Sequence, residues 1–312
     1  MTMCYGLRLL VLSLGIFFLV HLFASSFALF LSRKIVRGDS NRTARESADA
    51  LLILRLLPTA VAFFCVLCFC IPSYLVLEPR GGSEQVGLKC LVPAILSSFV
   101  CLLSILRSAR AVLRTRRFLK ADDTSNAFAP VVVTGLFRPK VIVSESARAL
   151  LSPRQLEAVK RHEDAHVRHR DNLKRLLFLL CPDPLPAFRA FRKLEAAWSK
   201  YSEWAADDAA SSGSEENAVV LAEALLRTAR ARQTRAPASA ALASAFASSG
   251  AADLSARVQR LLYLRQMPVS ECRLGNWLPQ LPVIAAVAAS LALLLHASTL
   301  EAVHRLLESL IQ

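Results

Sequence analysis

Along the chain, long unbroken apolar runs alternate with one extended polar stretch. Leu9 to Leu31 contains no Lys or Arg and exceeds the roughly 20 residues that cross a bilayer. Leu56 to Leu77 and Leu88 to Leu106 read the same way, and 281–296 forms a shorter fourth span. The tail from Ser298 carries Leu300, Val303, Leu307 and Leu310 at helical spacing, so it is expected to be amphipathic. Between spans three and four the period changes. VVV at 131–133 and VIV at 141–143, separated by a turn containing Gly135 and Pro139, predict a strand pair. Ser152, Pro153 and Gln155 then form a helix start signal. Three prolines in 181–186 end that helical region, and further helices are expected over 188–210, 217–232 and 253–266. The Ala/Ser-rich stretch 236–251 reads as a connection, and there is no internal repeat.

The expected fold is a mainly α membrane protein with four transmembrane helices. Its polar insert, carrying a small β element, occupies 107–280, between three spans in 1–106 and a last span with its tail in 281–312. Basic residues orient it. Residues 32–55 hold six Lys and Arg, 78–87 hold only Arg80, and the segment after span three is strongly basic. Positive charge collects on the cytoplasmic side, so the insert is expected in the cytoplasm and the N-terminus outside.

Net charge +14 could signal nucleic-acid binding, but no basic and aromatic stripe accompanies it, so the lipid bilayer is the expected partner. The eight cysteines lie mostly within spans and imply no disulfide framework.

The helix opened at Ser152 carries the candidate chemistry. At 100° per residue, Leu156, Val159, His162, Glu163 and His166 share an arc of roughly 120°. Arg154, Arg161, Asp164 and Arg168 lie mostly opposite. The apolar face therefore runs into His-Glu-His, and burying those groups without a partner would be costly. The pattern is HExxH: two imidazoles one turn apart can share a Zn²⁺, with Glu163 beside them as general base. A catalytic zinc needs a third protein ligand. Glu203 is the candidate, with Asp207 one turn on to hold a ligating His; Glu195 follows Arg192 and Lys193 and reads as a surface ion pair.

HEDAHVRHRDN at 162–172, preceded by FRPKVIVSESARALLSPRQLEAV and followed by EWAADDAA, resembles the BlaR/MecR-type membrane metallopeptidases. SARVQRLL at 255–262 adds weaker support. The resemblance implies His162, His166 and Glu203 as zinc ligands and Glu163 as base. Asp171 matches the aspartate that follows the second His there, its role left open. It further implies a cytoplasmic antirepressor that cleaves a protein substrate such as a transcriptional repressor. The Ste24/HtpX-like membrane peptidases share HExxH and ExxxD and imply a quality-control protease instead. A third reading is a non-proteolytic signalling scaffold with a structural zinc, which an intact Glu163 disfavours. Neither 78–87 nor the 16 residues after 296 can enclose a small ligand. Any stimulus is therefore expected from a membrane sensor partner, a homo-oligomer, the membrane or the substrate.

Overall fold

The computed structural model describes residues 4–38, 42–78, 87–120, 131–136, 139–184, 190–235, 253–263, and 301, 302 and 305. The expected fourth span at 281–296 lies outside them, as do the linker at 236–251 and most of the tail.

Helix α1 (Tyr5–Arg37) ends on Gly38 at φ 83°, whose N–H reaches the Ile35 and Lys34 carbonyls. That left-handed cap needs a residue without a Cβ. Thr43 and Glu46 form a reciprocal capping box that opens α2 (Ala44–Cys65). A π-turn over Val66–Cys70 leads into α3 (Ile71–Leu77), where Pro72 has no N–H to offer the preceding turn. Helix α4 (Leu88–Lys120) completes the group. Among the described residues three helices are long and apolar enough to cross a membrane: Tyr5–Arg37, Ala44–Leu77 and Leu88–Arg114. Their outer faces expose Phe23, Phe27, Phe30, Ile53, Leu67 and Phe99, side chains that suit lipid rather than water. At one end of the bundle, buried Arg8 and Glu78 pair at 3.4 Å.

Strands β1 (Val131–Thr134) and β2 (Lys140–Val143) pair antiparallel, Val131 opposite Val143 and Thr134 opposite Lys140. Then come α5 (Glu145–Leu150), α6 (Pro153–His169), α7 (Asp171–Leu180), α8 (Ala190–Ser211), α9 (Glu215–Arg235) and a helix α10 over residues 253–263. One core joins β1, α5, α6 and α9 around Ala158, Val159, Leu221 and Leu261. A second joins the membrane helices to the insert: Ile35, Ala48 and Leu51 pack against Phe178, Phe191, Leu194, Trp198 and Tyr201. Helix α8 belongs to both, through Ala210 in the first and Trp198 in the second.

Arg55, 1% exposed, reinforces that junction. From the middle of a membrane helix it donates to the carbonyls of Phe178 (3.4 Å), Cys181 (2.9 Å) and Pro182 (3.2 Å). The C-terminal carbonyls of a helix have no partner within it, and a guanidinium with five donors serves several at once. The same Arg55 lies 3.4 Å from Glu195 and covers the Phe191 ring. Glu195 is therefore not the surface partner of Arg192 or Lys193 that sequence proximity suggests. Its partner comes from a helix far away in the chain.

Candidate metal centre

Helix α6 starts as expected. Ser152 Oγ accepts the Gln155 N–H at 3.3 Å, and Gln155 Oε1 accepts the Ser152 N–H at 3.2 Å. Its inward face carries Val159, His162 and Ala165, all buried, while Arg154, Asp164 and Arg168 are exposed. The helix stops at Arg170, whose left-handed backbone (φ 52°) reverses the chain. That reversal makes Asp171 the first residue of α7 and swings it back onto α6.

Three side chains converge. His162 Nε2 lies 3.2 Å from His166 Nε2 and 3.5 Å from Glu203 Oε2, and His166 Nε2 lies 3.7 Å from Glu203 Oε1. This trio could hold a metal ion. Zinc bonds N and O ligands at about 2.0–2.2 Å, so two ligands at a tetrahedral angle are separated by roughly 3.3–3.5 Å. The observed separations, 3.2, 3.5 and 3.7 Å, lie within about 0.2 Å of that range.

The other side of each imidazole is held by a carboxylate. His166 Nδ1 bonds Asp171 Oδ2 at 2.7 Å, and that oxygen also accepts from Ser202 Oγ at 2.8 Å. His162 Nδ1 lies 3.0 Å from Asp207 Oδ1, close but not aligned as a hydrogen bond. A proton on Nδ1 leaves the Nε2 lone pair facing the common point, the tautomer a metal requires. Asp171, whose role the sequence left open, thus does for His166 what Asp207 does for His162.

Arg257, on α10, was not foreseen. Its guanidinium grips Asp207 with two bonds of 2.7 and 2.8 Å and touches Glu203 Oε2 at 3.0 Å. Arg260, three residues on, makes the same fork onto Asp208. Two adjacent aspartates facing two arginines at i,i+3, the latter within SARVQRLL at 255–262, are the sequence signal for this clamp. Arg175 of α7, half exposed, approaches the other Glu203 oxygen at 3.6 Å.

Glu163 is half-buried beside the trio, and among the described residues its carboxylate has no hydrogen bond or ion pair. Burial pushes its carboxyl above the usual range, against the pull of the two imidazoles and Arg257. For Glu203 burial opposes ionisation, but His162 and Arg257 prevail and hold the carboxyl well below the usual range. Burial would likewise depress His162, yet Asp207 and Glu203 outweigh it and raise the imidazole to about 9 in the metal-free protein. A histidine whose folded value exceeds the unfolded value of about 6.5 adds stability at low pH. That contribution is complete below about 6.5 and is lost as pH rises through about 9. The unfolding temperature of metal-free protein is therefore expected to fall between those limits, measured beside a zinc-loaded sample. Protons compete with the metal for His162, so zinc affinity is expected to rise over the same interval.

The model of a family described as Peptidase family M48 matches residues 102–265, more than half the chain. The chain belongs to Peptidase family M48. The matched stretch contains α6, α7, α8 and α10, and with them every residue of the trio and its carboxylate and arginine supports. No curated protein and no solved structure matches the chain. As an M48 peptidase with three membrane-length helices, the chain is a metallopeptidase of the membrane, and His162, His166 and Glu203 fit the zinc that this family carries.

Proposed function

We propose that the chain is an integral-membrane zinc endopeptidase that cleaves a cytoplasmic or membrane-associated protein. The carrying observation is the ligand trio at near-tetrahedral separations beside Glu163, a carboxylate with no hydrogen bond or ion pair among the described residues. A zinc ion held there supplies Lewis acidity, activating water and polarising the scissile carbonyl. The protein's own residues do the rest. Glu163 accepts the proton of the attacking water and delivers it to the leaving amine. Asp171 and Asp207 hold the two imidazoles in one tautomer, and Arg257 fixes Asp207 and Glu203 relative to each other. The β1–β2 hairpin, tied to α7 where Asn172 Nδ2 donates to the Val133 and Gly135 carbonyls, offers strand edges for an extended substrate. Cleavage of an unfolded protein by the detergent-purified enzyme should cease with a chelator and return with added zinc. Chelator-resistant cleavage would refute the reading.

Regulated cleavage of a repressor or similar regulator is the finer reading, supported by the BlaR/MecR resemblance at 162–172 and 203–210. Quality control of membrane proteins is the second reading, supported by the M48 match. Both require the insert to face the cytoplasm. Single cysteines at Ser83 and Ser125, in a cysteine-free background, should label oppositely with an impermeant reagent on intact cells, only the first reacting. Reaction of the second alone would reverse the topology.

A further inference from the structure

On another side of α8, a cavity of about 280 Å³ opens between the end of α1, the start of α2 and the insert. Arg37, Arg42, Lys200 and Arg260 line it, with Trp204 and Ser47, and no carboxylate is among the lining residues described. Arg260 is already held by Asp208, and Lys200 Nζ rests 4.4 Å from the centre of the Trp204 ring. Among the described residues Arg37, Arg42 and Lys200 have no ion-pair partner, so three positive charges face one cavity. The wall has a second unusual feature. Ser47 is 1% exposed, and its hydroxyl has no hydrogen-bond partner among the described residues. Buried hydroxyls are normally satisfied, and one left over beside a cationic pocket favours an oxygen-rich ligand.

Position along the spans narrows the chemistry. Arg37 lies six residues past Leu31, where the apolar run of α1 ends, or about 9 Å at 1.5 Å per residue. The headgroup layer extends roughly 5–8 Å beyond the hydrocarbon on each face, and long cationic side chains lean several ångströms toward it. The pocket mouth therefore sits at the level where lipid phosphates lie. It is also within reach of soluble phosphate esters.

We propose that this pocket is a binding site for a phosphate group, presented either by an anionic phospholipid or by a soluble phosphate. The site is distinct from the metal centre but shares α8 with it, since Trp204 follows the ligand Glu203 directly. The proposal does not depend on the peptidase reading.

The full-length protein in neutral detergent should be titrated with dihexanoyl phosphatidylglycerol and, separately, with inorganic phosphate, at matched ionic strength. A saturable rise of about 2–4 °C in unfolding temperature is expected. Saturation by the lipid at far lower concentration identifies the membrane as the source; equal potency of inorganic phosphate identifies a soluble one. Arg37→Gln/Lys200→Gln should weaken the response at least tenfold, and Arg42→Gln alone should weaken it measurably. These three side chains are on exposed residues, so zinc content should stay unchanged and report an intact fold. No saturable shift with either probe, or an undiminished shift in both variants, overturns the proposal.

Discussion

Glu163→Gln is expected to bind one zinc per chain and to cleave protein substrate roughly 10²–10⁴ times more slowly than the parent. The amide keeps the size of the side chain but cannot accept a proton from water. Metal content should not change, because the trio is His162, His166 and Glu203. Among the described residues the carboxylate also makes no hydrogen bond or ion pair whose loss would disturb the fold. Wild-type rates in the variant, measured with zinc content on the same sample, would remove Glu163 from the reaction.

Glu203→Ala should empty the site. Zinc-finger peptides gain about 10–16 kcal/mol from four ligands, so one ligand's share is roughly 3 kcal/mol, a loss of a hundredfold or more in affinity. The variant also leaves Arg257 and Arg175 without the carboxylate they share. Glu195→Ala is the contrasting case. Sequence reading makes it silent, but the structure makes it a stability variant, because it removes the acidic partner of buried Arg55. Zinc content near one per chain with a lowered unfolding temperature is expected. Zinc loss from Glu195→Ala and retention in Glu203→Ala would move the third ligand.

The comparison shows what a one-dimensional pattern carries. The first three spans, the strand pair and the capping box were legible because each depends on neighbours within a few residues. His162, Glu163 and His166 were legible for the same reason: a helical period puts them on one face. Glu203 and Asp207 could be picked out because they, too, are one turn apart. The role of Asp171 was hidden in the backbone of Arg170, whose left-handed turn no residue preference announces. Arg257 was hidden by distance in sequence, since it meets Asp207 fifty residues away. Glu195 was misplaced because the nearest cations in the chain are not the nearest in space.

The grip of Arg55 bears on how such an enzyme can be handled. Cutting the chain at 107 to obtain a water-soluble catalytic fragment would remove the guanidinium that satisfies the Phe178, Cys181 and Pro182 carbonyls. It would also strip the cover from Phe178, Phe191 and Trp198, now packed against α1 and α2. Such a fragment would have a sticky apolar flank and a loosened α7, the helix whose first residue braces His166. The first two spans therefore form one wall of the insert's own core, and the smallest portable unit is expected to begin with them.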